Sequence, residues 1–230
     1  TGGIVSPYIS IDGGDTIQTK TGTSDTLYTN TLVNGSHTIV LRAVNSAGTA
    51  QSELITYIID NTPDVALLSP PADTVVSDTV VITFSDTAIA PDTIAQRQVY
   101  IDGGIVANAT TDSTYVWNTT DVNDGKHTIQ VKVTDSRDRT AVSELVSVTV
   151  RNAPTVTLDF PPPDTILSDT VVIQFTASAN LPDTIDKREI YIDGGYVADA
   201  TTDSTYVWST TDVNDGKHTI QVKVTDSRNR

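Results

Sequence analysis

The sequence predicts an all-β protein built from tandem two-sheet sandwiches, and three observations lead there. Of its 230 residues, 39 are Thr, 27 Val and 20 Ile, and β-branched side chains fit the pleated surface of strands. The acids are 26 Asp and only three Glu (Glu53, Glu144, Glu189); Glu favours helices, whereas Asp favours turns and caps. Finally, residues 99–139 and 190–230 match at 36 of 41 positions without a gap, at an offset of 91. Self-similarity at a fixed period marks a repeat architecture.

The unit at 62–152 is complete, and its elements follow in order. Val65 and Leu67 alternate before Pro70 and Pro71 break the strand, because proline cannot donate to a ladder. Val80, Ile82 and Phe84 share one face of the next strand. Val99 and Ile101 alternate with Tyr100, and Asp102-Gly103-Gly104 then makes a tight turn in which glycine supplies positive φ. Tyr115 and Trp117 form a further same-face pair. Asn123-Asp124-Gly125 is the strongest hairpin signal. Ile129, Val131 and Val133 alternate with polar residues, 135–138 turns the chain, and Val146, Val148 and Val150 close the unit. About seven short strands with regularly spaced turns predict two sheets packed face to face, an immunoglobulin-like sandwich. Trp117 and Trp208 stand at one repeat position and are the expected core centrepieces, with Tyr28 expected in that slot of the first copy.

The chain thus divides into a partial repeat at 1–61 lacking its front strands, a complete repeat at 62–152, and a repeat at 153–230 lacking its last strand. An isolated sandwich short of a strand exposes an edge and an open core. Two explanations stay open: the chain is a window of a longer array, as the lack of Met also suggests, or a neighbouring subunit supplies the strands.

The segment YIDGG…TYVWNTTDVNDGKHTIQVKVTDSRDRT resembles the tandem bacterial Ig-like domains of large surface and secreted proteins. The resemblance covers all three copies. It implies an extracellular or cell-surface location and non-catalytic spacing, stalk or adhesive roles. The first copy departs from the pattern, with Asn45 where the later copies have Asp135 and Asp226.

Without Cys there is no disulfide framework or Cys-based zinc site. No apolar run approaches the ~18 residues of a membrane span. A formal charge of −15 opposes binding to nucleic acid and acidic membranes. His37, His127 and His218 share one repeat position, which favours a structural over a catalytic role. No nucleophile motif or phosphate-binding loop is present, so the chain is not expected to be an enzyme. Calcium is the one cofactor to consider. Asp121, Asn123 and Asp124 recur as Asp212, Asn214 and Asp215, offering oxygen ligands at alternating positions, and Asp60 and Asp64 flank a repeat junction. Acid and amide before Gly are equally what a hairpin turn demands. Three sequons, at Asn34, Asn108 and Asn118, could accept glycans in a secreted protein.

Short linkers between repeats restrict bending and predict a semi-rigid row. The expected function is a structural segment of an extracellular filament, stalk or surface fibre, with polymerisation by strand complementation between subunits as its sharper form. Adhesion or carbohydrate binding, and spacing within a secreted hydrolase, are the alternatives. Self-association or neighbouring repeats are the expected partners, with any receptor or glycan unspecified.

Overall fold

A computed structural model describes residues 6–14, 17–18, 26–45, 47–108, 112–200 and 202–230. Among them there are strands and three single 3-10 turns but no α-helix, and no helix is long and apolar enough to cross a membrane.

In the first repeat, β1 (Ser6–Ile11), β2 (Ile17–Gln18), β3 (Gly35–Asn45), β4 (Gly48–Gln51) and β5 (Ile55–Ile59) form one five-stranded sheet. The long β3 is its centre. It pairs with β1 along one edge and with β5 and then β4 along the other, all antiparallel.

The middle repeat contains β6 (Asp64–Ser69), β7 (Val75–Val76), β8 (Thr79–Thr87), β9 (Ile94–Ile101), β10 (Gly104–Asn108), β11 (Thr114–Asn118), β12 (Gly125–Asp135), β13 (Thr140–Val142) and β14 (Val146–Val150). One sheet runs β10-β9-β12-β14-β7 with β13 on β12, and the other runs β11-β8-β6. The short β7 adds to β14 in parallel. The predicted alternation is visible in burial. Ile82, Val99, Ile129, Val131, Val133 and Val150 are fully buried, and Phe84 and Trp117 nearly so. Each such aliphatic side chain contributes about 1.5–3 kcal/mol relative to exposure.

The third repeat has β15 (Thr155–Phe160), β16 (Thr170–Ser178), β17 (Ile185–Ile192), β18 (Gly195–Asp199), β19 (Thr205–Ser209) and β20 (Ile220–Asp226), in sheets β15-β16-β19 and β18-β17-β20. Ile173, Phe175, Ile190, Trp208 and Val224 make its buried cluster.

Tyr28 does not occupy the tryptophan slot; it is 71% exposed. The 3-10 turns Thr29–Thr31 and Thr119–Asp121 correspond at an offset of 90, because the first copy is one residue shorter downstream. Tyr28 therefore stands at the place of Asn118, and Leu27 at that of Trp117. Adjacent strand residues face opposite ways, so a one-residue slip exchanges inside for outside.

The chain packs as two compact units, one comprising 1–68, 83–115 and 130–144, the other 69–82, 116–129 and 145–230. The repeat boundaries expected after 61 and after 152 fall inside these units. Each unit holds one repeat junction whole.

Candidate functional site

The turn after β1 has Asp12 and Gly13 both at positive φ, 52° and 71°, with Gly14 N donating to Ile11 O. This is the two-residue turn that suits the twist of a hairpin. The same pair of positive φ values recurs at Asp102-Gly103 and Asp193-Gly194. The turn aims a carboxylate at the next long strand. Asp12 accepts from Thr38 N (2.7 Å) and from His37 Nδ1 (2.6 Å), while His37 Nε2 donates to Val33 O (2.7 Å). Asp193, His218 and Asn214 repeat the arrangement, with distances of 2.6 and 2.7 Å at the two ring nitrogens.

Both ring nitrogens face acceptors, which only the doubly protonated imidazole can satisfy. The Asp12 hydrogen bond, then the Val33 carbonyl, raise the His37 pKa above its ordinary value, and Asp193 and Asn214 do the same for His218. Trp117 and Trp208 stack edge-on against His127 and His218, with ring centroids 5.9 and 6.0 Å apart. His218 thus ties a turn to a core. Sequence reading placed the histidines in a structural role but missed their acid. The signal was available: an Asp-Gly-Gly precedes each histidine at a constant spacing of 25 residues.

The first junction joins the Asn34 turn and the Asp60-Asn61 linker to the loop before β9 and the hairpin after β12. Asn34 is 3% exposed. Its amide Nδ2 donates to Asp92 Oδ2 (2.8 Å), Asn61 O (3.1 Å) and Ile89 O (3.2 Å), and its Oδ1 accepts from Asn61 N (2.6 Å). Arg137 Nε donates to Asp92 at 2.8 Å. Arg139 spans the joint, pairing with Asp60 of the preceding repeat and with Asp92 and Asp135 of its own.

The second junction has the same plan with different donors. Asp124 N donates to Leu181 O (2.5 Å). Its carboxylate accepts from Asn152 N (3.1 Å) and from Arg230 NH1 (2.9 Å). Asn180 Nδ2 donates to Val122 O (3.0 Å). Arg228 Nε reaches Asp183 at 2.8 Å, and Arg230 also pairs with Asp183 and Asp226.

Burial opposes ionisation of these acids, yet their partners win. At Asp92 the Asn34 amide and the two guanidinium groups hold the carboxyl below its usual range. The Asn152 N–H and Arg230 do so at Asp124. At Asp135 and Asp226, the backbone N–H groups and arginine of the following turn have that effect.

This geometry bears on the metal candidates. Asp60 and Asp124 face guanidinium groups. Asp121 accepts from Asn118 (3.2 Å), and Asn123 and Asn214 offer backbone oxygens to histidines. Asp64, Asp212 and Asp215 lie exposed. Among the described residues no group of three or more His, Cys, Asp or Glu is placed to hold a metal ion.

The sequons separate as well. Asn34 is corrected from a glycan acceptor to a junction residue, because its amide is buried and committed to three acceptors. Asn108 and Asn118 are exposed. Asn108 Oδ1 accepts from Gln96 and Gln98, and Asn118 Oδ1 accepts from Thr120 N.

The first-repeat sheet also presents an apolar cleft of about 290 Å³, lined by Ile11, Leu27, Leu32, Ile39, Tyr57 and Ile59 among others. Leu41 corresponds to fully buried Val131 but is 51% exposed.

The profile of the bacterial Ig domain matches residues 63–131 and 154–222. A search of curated proteins finds no match. Solved structures with a similar chain course include the fibronectin(III)-like modules of Clostridium thermocellum CbhA, 20% identical over 72% of this chain and 87% of that one, with a TM-score of 0.33. The titin domains I67–I69 are 11% identical, over 94% and 85%, with a TM-score of 0.38. A tetra-tandem repeat from the extending region of a large adhesion protein is 18% identical, over 96% and 62%, with a TM-score of 0.33. With two tandem matches that together span more than half of its length, the chain belongs to the bacterial Ig domain family.

Proposed function

We propose that this chain is a non-catalytic spacer: a run of Ig-like repeats in an extracellular stalk, filament or surface fibre. The observation that carries the reading is the pair of junctions, where arginines of one repeat grip acids of the repeat before it. Such linkers resist bending, and length is what a spacer supplies. The test is force spectroscopy on the chain with added flanking repeats. Sequential unfolding of similar peaks, from a tether whose bending stiffness falls when Arg139 and Arg230 become Ala, supports the reading. A tether that bends freely with the arginines intact overturns it.

The apolar face of the first repeat motivates the polymerising version, in which a strand pair resembling residues 63–87 covers Leu41 and Tyr57. Adding a peptide of that sequence protects the face from a hydrophobic dye if this version holds. A second reading, glycan contact, rests on Tyr191 and Tyr196 of the third repeat. Their rings meet edge-on at 5.8 Å, and Tyr196 is 56% exposed. Glycan-array binding that Tyr196→Ala abolishes is its test.

A further inference from the structure

Comparing the two junctions position by position exposes an exchange. The guanidinium NH1 of Arg139 is met by Asp60, on the linker. The NH1 of Arg230, the same residue one repeat later, is met by Asp124, on the turn. The linker position equivalent to Asp60 is Arg151, and the turn position equivalent to Asp124 is Asn34. Each junction thus has one acid from the preceding repeat for this arginine, but the acid has moved between two sites.

The amide donors have moved with it. In the first junction Asn34, on the preceding repeat, donates across to Ile89 O and Asp92. A carboxylate there would face Asp92 without a crossing amide beside it, whereas in the second junction Asp124 and Asp183, the equivalent of Asp92, share Arg230. In the second junction the turn residue is an acid, and the crossing amide comes instead from Asn180, on the following repeat, to Val122 O. The position equivalent to Asn180 is Ile89, which has no side-chain donor.

We infer that adjacent repeats are matched by a pairing rule: the acid that anchors the following repeat's arginine sits on the linker when the turn residue is Asn, and on the turn when the following repeat supplies the crossing amide. The partner each junction surface fits is therefore a repeat of the complementary set, Asn34 and Asp60 with Ile89, or Asp124 and Arg151 with Asn180. Two near-identical repeats are not freely interchangeable in order, because an Asp124-type turn set against an Ile89-type follower leaves the joint without a crossing amide, and an Asn34-type turn set against an Asn180-type follower brings two. A polar group left unpaired at a partly buried joint costs more than the paired bond gains.

Amide hydrogen exchange on the full chain tests this. The N–H groups of Asn34 and Asn61 bond across or beside the first junction, to Ala90 O and Asn34 Oδ1, so their protection reads joint opening rather than global unfolding. Asp60→Asn removes the linker acid, and protection at both amides should fall about 3- to 10-fold. Asn34→Asp alone should lower it similarly, by loss of the crossing amide. The double variant Asn34→Asp/Asp60→Asn places the acid on the turn, as in the second junction. Adding Ile89→Asn restores the crossing amide, and the triple variant should recover most of the lost protection. Amides of the β12 core, such as Ile129, serve as the control and should hold in every variant. The rule is overturned if losses simply accumulate from single to triple variant, if Asp60→Asn leaves the junction amides unchanged, or if Ile129 loses protection in parallel.

Discussion

Replacing Trp208 with alanine removes the largest side chain of the third-repeat core. Trp208 is 6% exposed and packs in the cluster of Ile173, Phe175, Ile190 and Val224, with the His218 ring 6.0 Å away. A tryptophan buries on the order of 200 Å², which at about 25 cal/mol per Å² corresponds to ~5 kcal/mol. Alanine recovers a small part of that area and leaves a cavity, and measured substitutions of this kind cost about 3–5 kcal/mol. Leucine should cost roughly half as much, since the first repeat carries Leu27 at the equivalent place. For a chain of this size each kcal/mol lowers Tm by about 2–4 °C. The alanine variant should therefore melt about 6–20 °C below the parent, with leucine between them. Calorimetry, with near-ultraviolet circular dichroism to follow loss of fixed packing, makes the measurement. A loss under about 1 kcal/mol for alanine, or leucine no better than alanine, would show that the ring does not organise the core.

Four further predictions concern the titratable groups, a turn glycine and a sequon. The folded pKa of His37 and His218 is raised, so their stabilisation is fully present below the unfolded value near 6.5 and fades as pH rises through the higher folded value. Proton NMR titration should place both midpoints above the ordinary histidine value, and His218→Gln should flatten the third repeat's stability between neutral and alkaline pH. Asp12 and Asp193 have lowered values, owing first to the Thr38 N–H for Asp12 and to His218 for Asp193. Their contribution holds above about pH 4 and disappears as pH falls through the folded pKa, so acid melts of Asp193→Asn should lose that slope. Gly194 sits at φ +78° with open space around a built Cβ; Gly194→Val should destabilise by about 1–2 kcal/mol through backbone strain alone, read as a Tm shift without change in the β12 region. Expression in a glycosylating host should leave Asn34 unmodified in the folded chain by peptide mass spectrometry, whatever occurs at Asn108 and Asn118.

The readings that succeeded from the chain alone share a physical basis. A period of two turns Ile129, Val131 and Val133 inward, and a half-buried strand offers no other arrangement. Gly103 was assigned to a tight turn because few residues accept its φ. The error at Tyr28 arose where that logic is most fragile. A single missing residue shifts the alignment by one, and aromatic character drew the slot to the wrong neighbour. At the junction, Asp60 and Asp124 are acids beside a linker and a turn, a pattern that suits a metal site, an ordinary linker or a hairpin turn alike. The guanidinium groups that meet them, Arg139 and Arg230, lie 79 and 106 residues away in the chain.

The class and period of the repeat are legible in the chain alone: alternation, β-branched composition and turn chemistry are local properties that each stretch carries whatever surrounds it. The company each charge keeps comes from the fold. It set Asn34 in a buried joint rather than on an accessible sequon, and Asp124 against a guanidinium rather than among other acids. Such partners meet only when distant segments fold together, because the strength of an ion pair depends on separation in space and not along the chain.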